Sequence, residues 1–217
     1  DSDVKVERIE AERLRAEVEE KSDFIKKQAE LTKILSEQEK VKEELAKKEQ
    51  EKKEEESSKS KTVELLKKDG VLLKKDFYDI GKVAGATFQN IVITDISTGQ
   101  KTGALRIETS YYSSIGTDTY IGTLDYDELA GCIKSLSYIK DNIITTIPEN
   151  YIECEYNTKD GVSLGAYLNI TKKESVWKIY IQTKSYTNRS QTFMKAENIS
   201  EVISLLNQSL ESLKSHL

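Results

Sequence analysis

Histidine is almost absent. The 217 residues contain one, His216, next to the last position. A poised base near neutral pH is most often histidine, so sites of the Ser-His-Asp or Cys-His kind are not expected. His216 itself is expected at a frayed surface end. The two cysteines, Cys132 and Cys154, are not in a CxxC spacing and have no histidine companions, so a zinc site is not expected. They read as buried free thiols, since cysteine commonly serves as a small core residue. Pairing in an oxidising compartment stays open at this level. No Walker A, GxGxxG or GxSxG motif occurs. No apolar run nears the roughly 18 residues that would suggest a membrane-spanning helix. The acidic cluster Asp125-Tyr126-Asp127-Glu128 lacks the alternating ligands and glycine of an EF-hand loop, and a helix start accounts for it. No metal, cofactor or catalytic set is expected. The chain opens Asp1-Ser2-Asp3 without Met, so a targeting segment could have been removed.

What the chain does have is charge, unevenly placed. Residues 1–60 hold 15 basic and 19 acidic side chains, against 18 and 19 in the remaining 157. All ten Gly, the single Pro and every aromatic except Phe24 lie after residue 69. The first 60 residues therefore read as a charged rod and residues 61–217 as an α+β domain. From Val4 to about Glu56 strong helix formers dominate. Glu43/Lys47, Glu44/Lys48 and Glu49/Lys53 fall at i,i+4 spacing, each pair adding about 0.2–0.5 kcal/mol. Leu14, Val18 and Ile25 form one apolar seam, and Leu31, Ile34, Leu35, Val41 and Leu45 form a second, rotated one. An interrupted heptad of this kind predicts a coiled coil with a stutter, pairing with a copy of itself or with a partner helix. A solvated single-helix spacer is the alternative.

Beyond Gly70 the apolar period changes from helical to two. Alternating runs punctuated by turn residues read as strands. The candidates in the first part are Val71–Leu73, Phe77–Ile80, Phe88–Thr94, Ala104–Thr109 and Thr119–Leu124. A helix follows, with Asp125 as N-cap and Glu128 completing a capping box. Its apolar face is Leu129, Cys132, Ile133, Leu136 and Ile139. The pattern then recurs: strands at Tyr151–Tyr156, Ser163–Ile170, Val176–Gln182 and Gln191–Met194, with a hairpin signal at Lys159-Asp160-Gly161. A last helix is capped by Asn198 with Glu201 and faces inward through Val202, Leu205, Leu206, Leu210 and Leu213. Overlaying the two helices also matches Tyr120 with Phe193. The expectation is a pseudo-repeat, about 77–142 and 151–217, of an antiparallel sheet followed by a helix. Neither half can bury its sheet alone, so the two share a core.

Trp177-Lys178-Ile179-Tyr180-Ile181, a hairpin, Thr192-Phe193-Met194 and the Leu-rich helix give this tandem layout its closest likeness. It resembles the Whirly, PUR and PC4-like group of single-stranded nucleic-acid binders; Lys101-Thr102-Gly103-Ala104-Leu105 is faintly similar to a Whirly strand motif with different spacing. The resemblance implies a sheet face that contacts ligand, with Tyr167, Trp177, Lys178, Tyr180, Lys184 and Arg189 as candidate contacts. In overall composition the chain is also similar to exported, uncharacterised proteins of Bacteroidetes-type bacteria, which implies a periplasmic or surface location over a cytoplasmic one. Single-strand binding wants a basic groove with aromatic platforms, and a domain of 18 basic and 19 acidic groups is not basic. A non-enzymatic binding or scaffold module, associated through residues 1–60, is therefore the first expectation. Nucleic-acid binding is the alternative and is not favoured.

Overall fold

The computed structural model describes residues 59–217 throughout and, before them, positions 21–22, 33, 36–38, 40–42, 44–45 and 48. The chain divides into two compact units, 1–56 and 57–217. The described positions of the first unit are helical. Glu44 and Lys48 pair there at 2.9 Å, with both side chains about two-thirds exposed, so the contact adds little. Of the apolar seam, Val41 and Leu45 are described and exposed. Leu14, Val18, Ile25, Leu31, Ile34 and Leu35 lie outside the described residues.

The second unit is an α+β domain with two four-stranded antiparallel sheets, each in simple sequential order. A short helix, α1 (Lys61–Leu66), comes first. The first sheet follows as β1 (Leu73–Val83), β2 (Ala86–Asp95), β3 (Lys101–Ser113) and β4 (Gly116–Asp125), leading into α2 (Tyr126–Tyr138). The second sheet is β5 (Glu153–Asn157), β6 (Ser163–Ile170), β7 (Ser175–Gln182) and β8 (Gln191–Lys195), leading into α3 (Ile199–His216). The two short runs expected around Leu73 and Ile80 are one strand, interrupted by a register shift between Asp79 and Gly81. The run reads as two pieces because three charged residues, Lys74, Lys75 and Asp76, separate its apolar parts.

The inner faces of both sheets and one face of each helix contribute to a single apolar core that includes Phe88, Leu105, Ile107, Leu164, Ile179, Leu136 and Leu206. The last helix achieves this by crossing over, while α2 lies against both sheets. The strand contacts of α3 fall mainly on β1, β2 and β3 rather than on the sheet it follows. α2 reaches β5 and β6 of the second sheet, and α2 and α3 lie against one another. Glycines allow the close approach: a Cβ on Gly81 would meet Leu205 at 2.6 Å, and one on Gly103 would meet Leu213 at 2.9 Å. Between them a buried polar pair fixes the register. Asn90 Nδ2 donates to the Ser209 carbonyl at 3.1 Å, and Ser209 Oγ donates to Asn90 Oδ1. His216 is not frayed, because its ring packs on Tyr78 with centroids 4.0 Å apart.

The start of α2 joins three segments. Asp125, 2% exposed, accepts hydrogen bonds from Ser60 Oγ (3.0 Å), Lys61 N–H (2.7 Å) and Thr62 N–H (3.3 Å). Its charge thus sits at the N-terminus of α1, where unpaired amides favour an anion. Glu128 accepts from Asp125 N–H at 2.9 Å and from Lys159 N–H at 2.8 Å. Thr123, one residue pair earlier, donates its N–H and Oγ to Asp160. The expected box at Asn198 does not form. A 3₁₀ turn, Ala196–Asn198, precedes α3, and Asn198 already has helical dihedrals (φ −68°, ψ −12°) with no side-chain cap. An N-cap residue needs extended dihedrals for its side chain to reach back, and Asp125 has them (φ −62°, ψ 153°).

That inserted turn also breaks the overlay of Tyr120 on Phe193. Tyr120 pairs with Thr109, on the core side with Ile107 and Leu105, whereas Phe193 pairs with Tyr180 on the opposite side of its sheet. Both cysteines are free thiols, Cys132 buried and Cys154 partly so. Burial, then the Glu128 charge, pushes the Cys132 thiol up to about 12.

Two stability outcomes follow from this packing. Ser209→Ala leaves the buried Asn90 Oδ1 without its side-chain donor and should cost about 1–3 kcal/mol in denaturant unfolding, more than Ser204→Ala on the exposed side of the same helix. The second concerns acid. Asp95 has no accessible surface and takes hydrogen bonds from Ser97 and Thr98, with Lys68 Nζ at 3.2 Å. The Ser97 hydroxyl first, and then Lys68 and the turn amides, hold its carboxyl well below the usual value of 3.8 against the opposing effect of burial. A depressed carboxylate contributes stability above its unfolded pKa, and this is lost as pH falls below that value. Asp95→Asn should therefore flatten the acid limb of Tm against pH below about pH 4; an acid limb as steep as that of the parent chain would contradict the assignment.

Candidate binding face of the second sheet

Each sheet has a core face and an outer face, and the two outer faces differ. On the first sheet, Leu65 of α1 packs on Ile91, Ile93 and Ala104. The helix is held there by Asp125 at its start and by the Lys68–Asp95 pair just beyond its end. The uncovered remainder carries Phe77, 51% exposed, and Ile121 at its two edges, with polar side chains between them. Arg106 donates to Gln89 at 3.2 Å and to Glu108 at 2.9 Å, and Gln89 donates to Asp79 at 2.8 Å.

No helix of the domain packs on the outer face of the second sheet. Strand register assigns its side chains, since residues directly opposite in an antiparallel ladder project to the same side. One row reads Glu153, Tyr167, Lys178, Lys195 from β5 to β8, and the next reads Glu155, Gly165, Tyr180, Phe193. A third row, Asn157, Ser163, Gln182 and Gln191, is closed by Ser163 donating to Asn157 and Gln191 donating to Gln182. Gly165 shapes the centre. It lacks a side chain, and a Cβ there would lie 2.3 Å from the Cys154 carbonyl oxygen. Tyr180 therefore spans β6 and donates its hydroxyl to Glu155 at 2.7 Å.

Three rings then cluster. Tyr167 and Phe193 lie 5.8 Å apart at 76°, Tyr167 and Tyr180 6.2 Å at 60°, and Tyr180 and Phe193 6.5 Å at 45°. Such pairs contribute about 0.5–1.5 kcal/mol each beyond area burial. The cluster buries Tyr180 to 3% exposure but leaves Phe193 at 53%, and Tyr151, at the opposite β5 edge, is at 57%. Burial, followed by the hydrogen bonds with Glu155 and Glu153, raises the Tyr180 phenol far above its ordinary value. Glu155 moves down, through its hydrogen bonds with Asn157 and then Tyr180. The carboxylate is thus the fixed acceptor and the phenol stays protonated.

Of the six residues expected on this face, Tyr167, Lys178 and Tyr180 are on it. Trp177 is not. Adjacent residues in a strand face opposite ways, and Trp177 is 6% exposed on the core side, with Nε1 donating to the Thr146 carbonyl at 2.6 Å. Lys184 and Arg189 lie in the β7–β8 connection. Lys184 sits 3.5 Å from Asp160, and Arg189 lies over the Tyr111 ring at 5.2 Å with Asp118 at 3.7 Å. Sequence reasoning missed Phe193, Lys195, Glu153 and Glu155. The alternation of the two edge strands, Tyr151–Tyr156 and Gln191–Met194, carried the signal once paired with Tyr180.

No family model matches this chain, and neither a curated protein nor a solved structure matches it. Among the described residues no helix is long and apolar enough to cross a membrane.

The face separates structural from exposed rings. Tyr180→Phe should cost about 1 kcal/mol in urea unfolding through the lost hydrogen bond. Phe193→Thr, half exposed and on an edge strand, should cost no more than that; a loss above about 2 kcal/mol would make Phe193 a core residue rather than a presented one.

Proposed function

We propose that this chain is a non-enzymatic binding and assembly module. Residues 1–60 associate it with a copy of itself or with a partner helix, and the domain presents the outer face of its second sheet. The open aromatic face carries this reading: Phe193 and Tyr151 are more than half exposed on a sheet side that no helix of the domain covers, while the corresponding side of the first sheet is partly covered by Leu65 of α1. A monomeric protein rarely leaves a cluster of large rings in water without a use for it. Aromatic residues with a few charges at the rim are the composition of a protein-binding surface.

Single-strand nucleic-acid binding is the second reading. Tyr167 and Phe193 offer stacking surfaces, with Lys178 and Lys195 close by on the same face. Against it stand Glu153 and Glu155, which occupy the same two rows and oppose a phosphate backbone. A single strand held by stacking and cations binds more weakly as salt rises.

An oligonucleotide titration decides between the two. Full-length chain and a fluorescent mixed-sequence single strand at low salt should show no saturable binding. Saturable binding that weakens steeply with salt, and falls on Phe193→Ser or Lys178→Glu, would replace the assembly reading with the nucleic-acid one.

A further inference from the structure

The charge on the open face is divided by edge. Both carboxylates, Glu153 and Glu155, come from β5, and both ammonium groups, Lys178 and Lys195, from β7 and β8. The rings of Tyr167 on β6 and Tyr180 on β7 lie between them, and Phe193 shares β8 with Lys195. A surface with opposite charges on opposite edges is complementary to itself under one kind of two-fold rotation and repulsive under another. For two sheets packed face to face the axis must lie in the interface plane. An axis across the strands would lay β5 on β5, placing Glu153 and Glu155 over their own copies. An axis along the strands, between β6 and β7, lays β5 on β8 and β6 on β7. It sets Glu153 opposite Lys195 and Tyr167 opposite Lys178 in the same row.

We infer that the outer face of the second sheet binds the same face of a second copy of this chain, through a two-fold axis parallel to the strands. The contact is isologous, so each residue pair occurs twice. Glu153 pairs with Lys195 of the other copy, Lys178 lies over the other Tyr167 as a cation on a ring, and Phe193 becomes covered. Aligned stacking of sheets about 10 Å apart is the ordinary way two such faces meet. The inference rests on the assembly reading and supplies its partner. Four strands about 4.8 Å apart and five residues deep give a face of roughly 15 by 17 Å. This is well below the area of a standard interface of about 800 Å² per partner, so the contact is weak alone and gains from a second link that raises effective concentration. Residues 1–60 would provide that link.

Zero-length carbodiimide cross-linking of the full-length chain tests this. Within one molecule Glu153 and Lys195 sit on opposite edge strands, three strand spacings or about 14 Å apart, too far for an amide bond. A Glu153–Lys195 cross-link therefore reports two copies, and mixed isotope labelling identifies it as intermolecular. Glu197, 3.5 Å from Lys195, gives the internal control for reactivity.

The parent chain should form the intermolecular link. Glu153→Lys alone and Lys195→Glu alone each remove one of the two reacting groups, so neither variant should form the link with itself, and each turns the attractive pair into a repulsive one. An equimolar mixture of the two variants should restore cross-linking between unlike chains, and so should the double swap in one chain. A chain that sediments as an oligomer yet never forms this link overturns the face-to-face contact and leaves assembly through residues 1–60 standing. Mixing the two variants without recovery of the link also overturns it. A monomer at every concentration, without the link, overturns it too and directs the face to a different protein.

Discussion

Two buried carboxylates at one strand-to-helix corner set the arrangement of the domain. Asp125 and Glu128 lie within a single turn and are 2% and 7% exposed. Neither is neutralised by a direct ion pair among the described contacts. Both are held by hydrogen-bond donors from distant segments: the first turn of α1 on Asp125, and the Lys159 amide on Glu128. Burial dominates at Glu128 and raises its proton affinity, with the two backbone amides opposing it. Burying a carboxylate without donors is expensive, and removing donors from one already buried costs more than the bond itself contributes. The corner therefore accepts one placement of 60–62 and one placement of the β5–β6 hairpin. Asp127, on the exposed side, reinforces both. Burial raises its pKa, but Lys61 at 2.8 Å and Lys159 at 3.5 Å outweigh that and lower it.

The consequence reaches the open face. With its start tied to Asp125 and its trailing Lys68 tied to Asp95, α1 is confined to the outer side of the first sheet. The β5–β6 hairpin, tied to Glu128 and Thr123, orients the second sheet so that its inner side meets α2. One sheet is thereby partly covered by a segment preceding it, and the other is left open. The crossing of α3 onto β1–β3 completes the division. Neither half of the domain has its own helix to itself, so the second sheet cannot turn its aromatic side inward without separating the core.

Much of the fold was legible in the sequence because alternation and helical spacing are local. The tandem order of strands and helix, the Asp125 cap and the apolar faces of both helices all come from periods of two and 3.6. What was not legible depends on pairing. The charged run Lys74-Lys75-Asp76 makes one strand, β1, read as two. The turn at Ala196–Asn198 shifts a strand relative to its helix by an amount that composition does not encode, so Phe193 was matched to a core-side tyrosine. Trp177 and Lys178 cannot both face a ligand, and which one does is decided only by their opposite residues, Leu168 and Tyr167. The crossing of α3 was invisible for the same reason: an apolar stripe states that it will be buried, not on which sheet.

The distribution of charge now has a geometric meaning. Four of the five net negative charges lie in residues 1–60, and the domain is nearly neutral. A neutral sum could mean an unremarkable surface, but the second sheet separates its charges by strand instead of mixing them. The first sheet does the opposite: Arg106 touches both Gln89 and Glu108, so its outer charges are satisfied within one copy. On the second sheet Glu155 is also satisfied internally, by Asn157 and Tyr180, and Lys195 has only Glu197, with both side chains about three-quarters exposed. Pairs so exposed hold little energy and are easily exchanged for a partner that also covers Phe193. In the proposed contact, the aromatic rings would supply the drive and the division of charge would select which way round it forms.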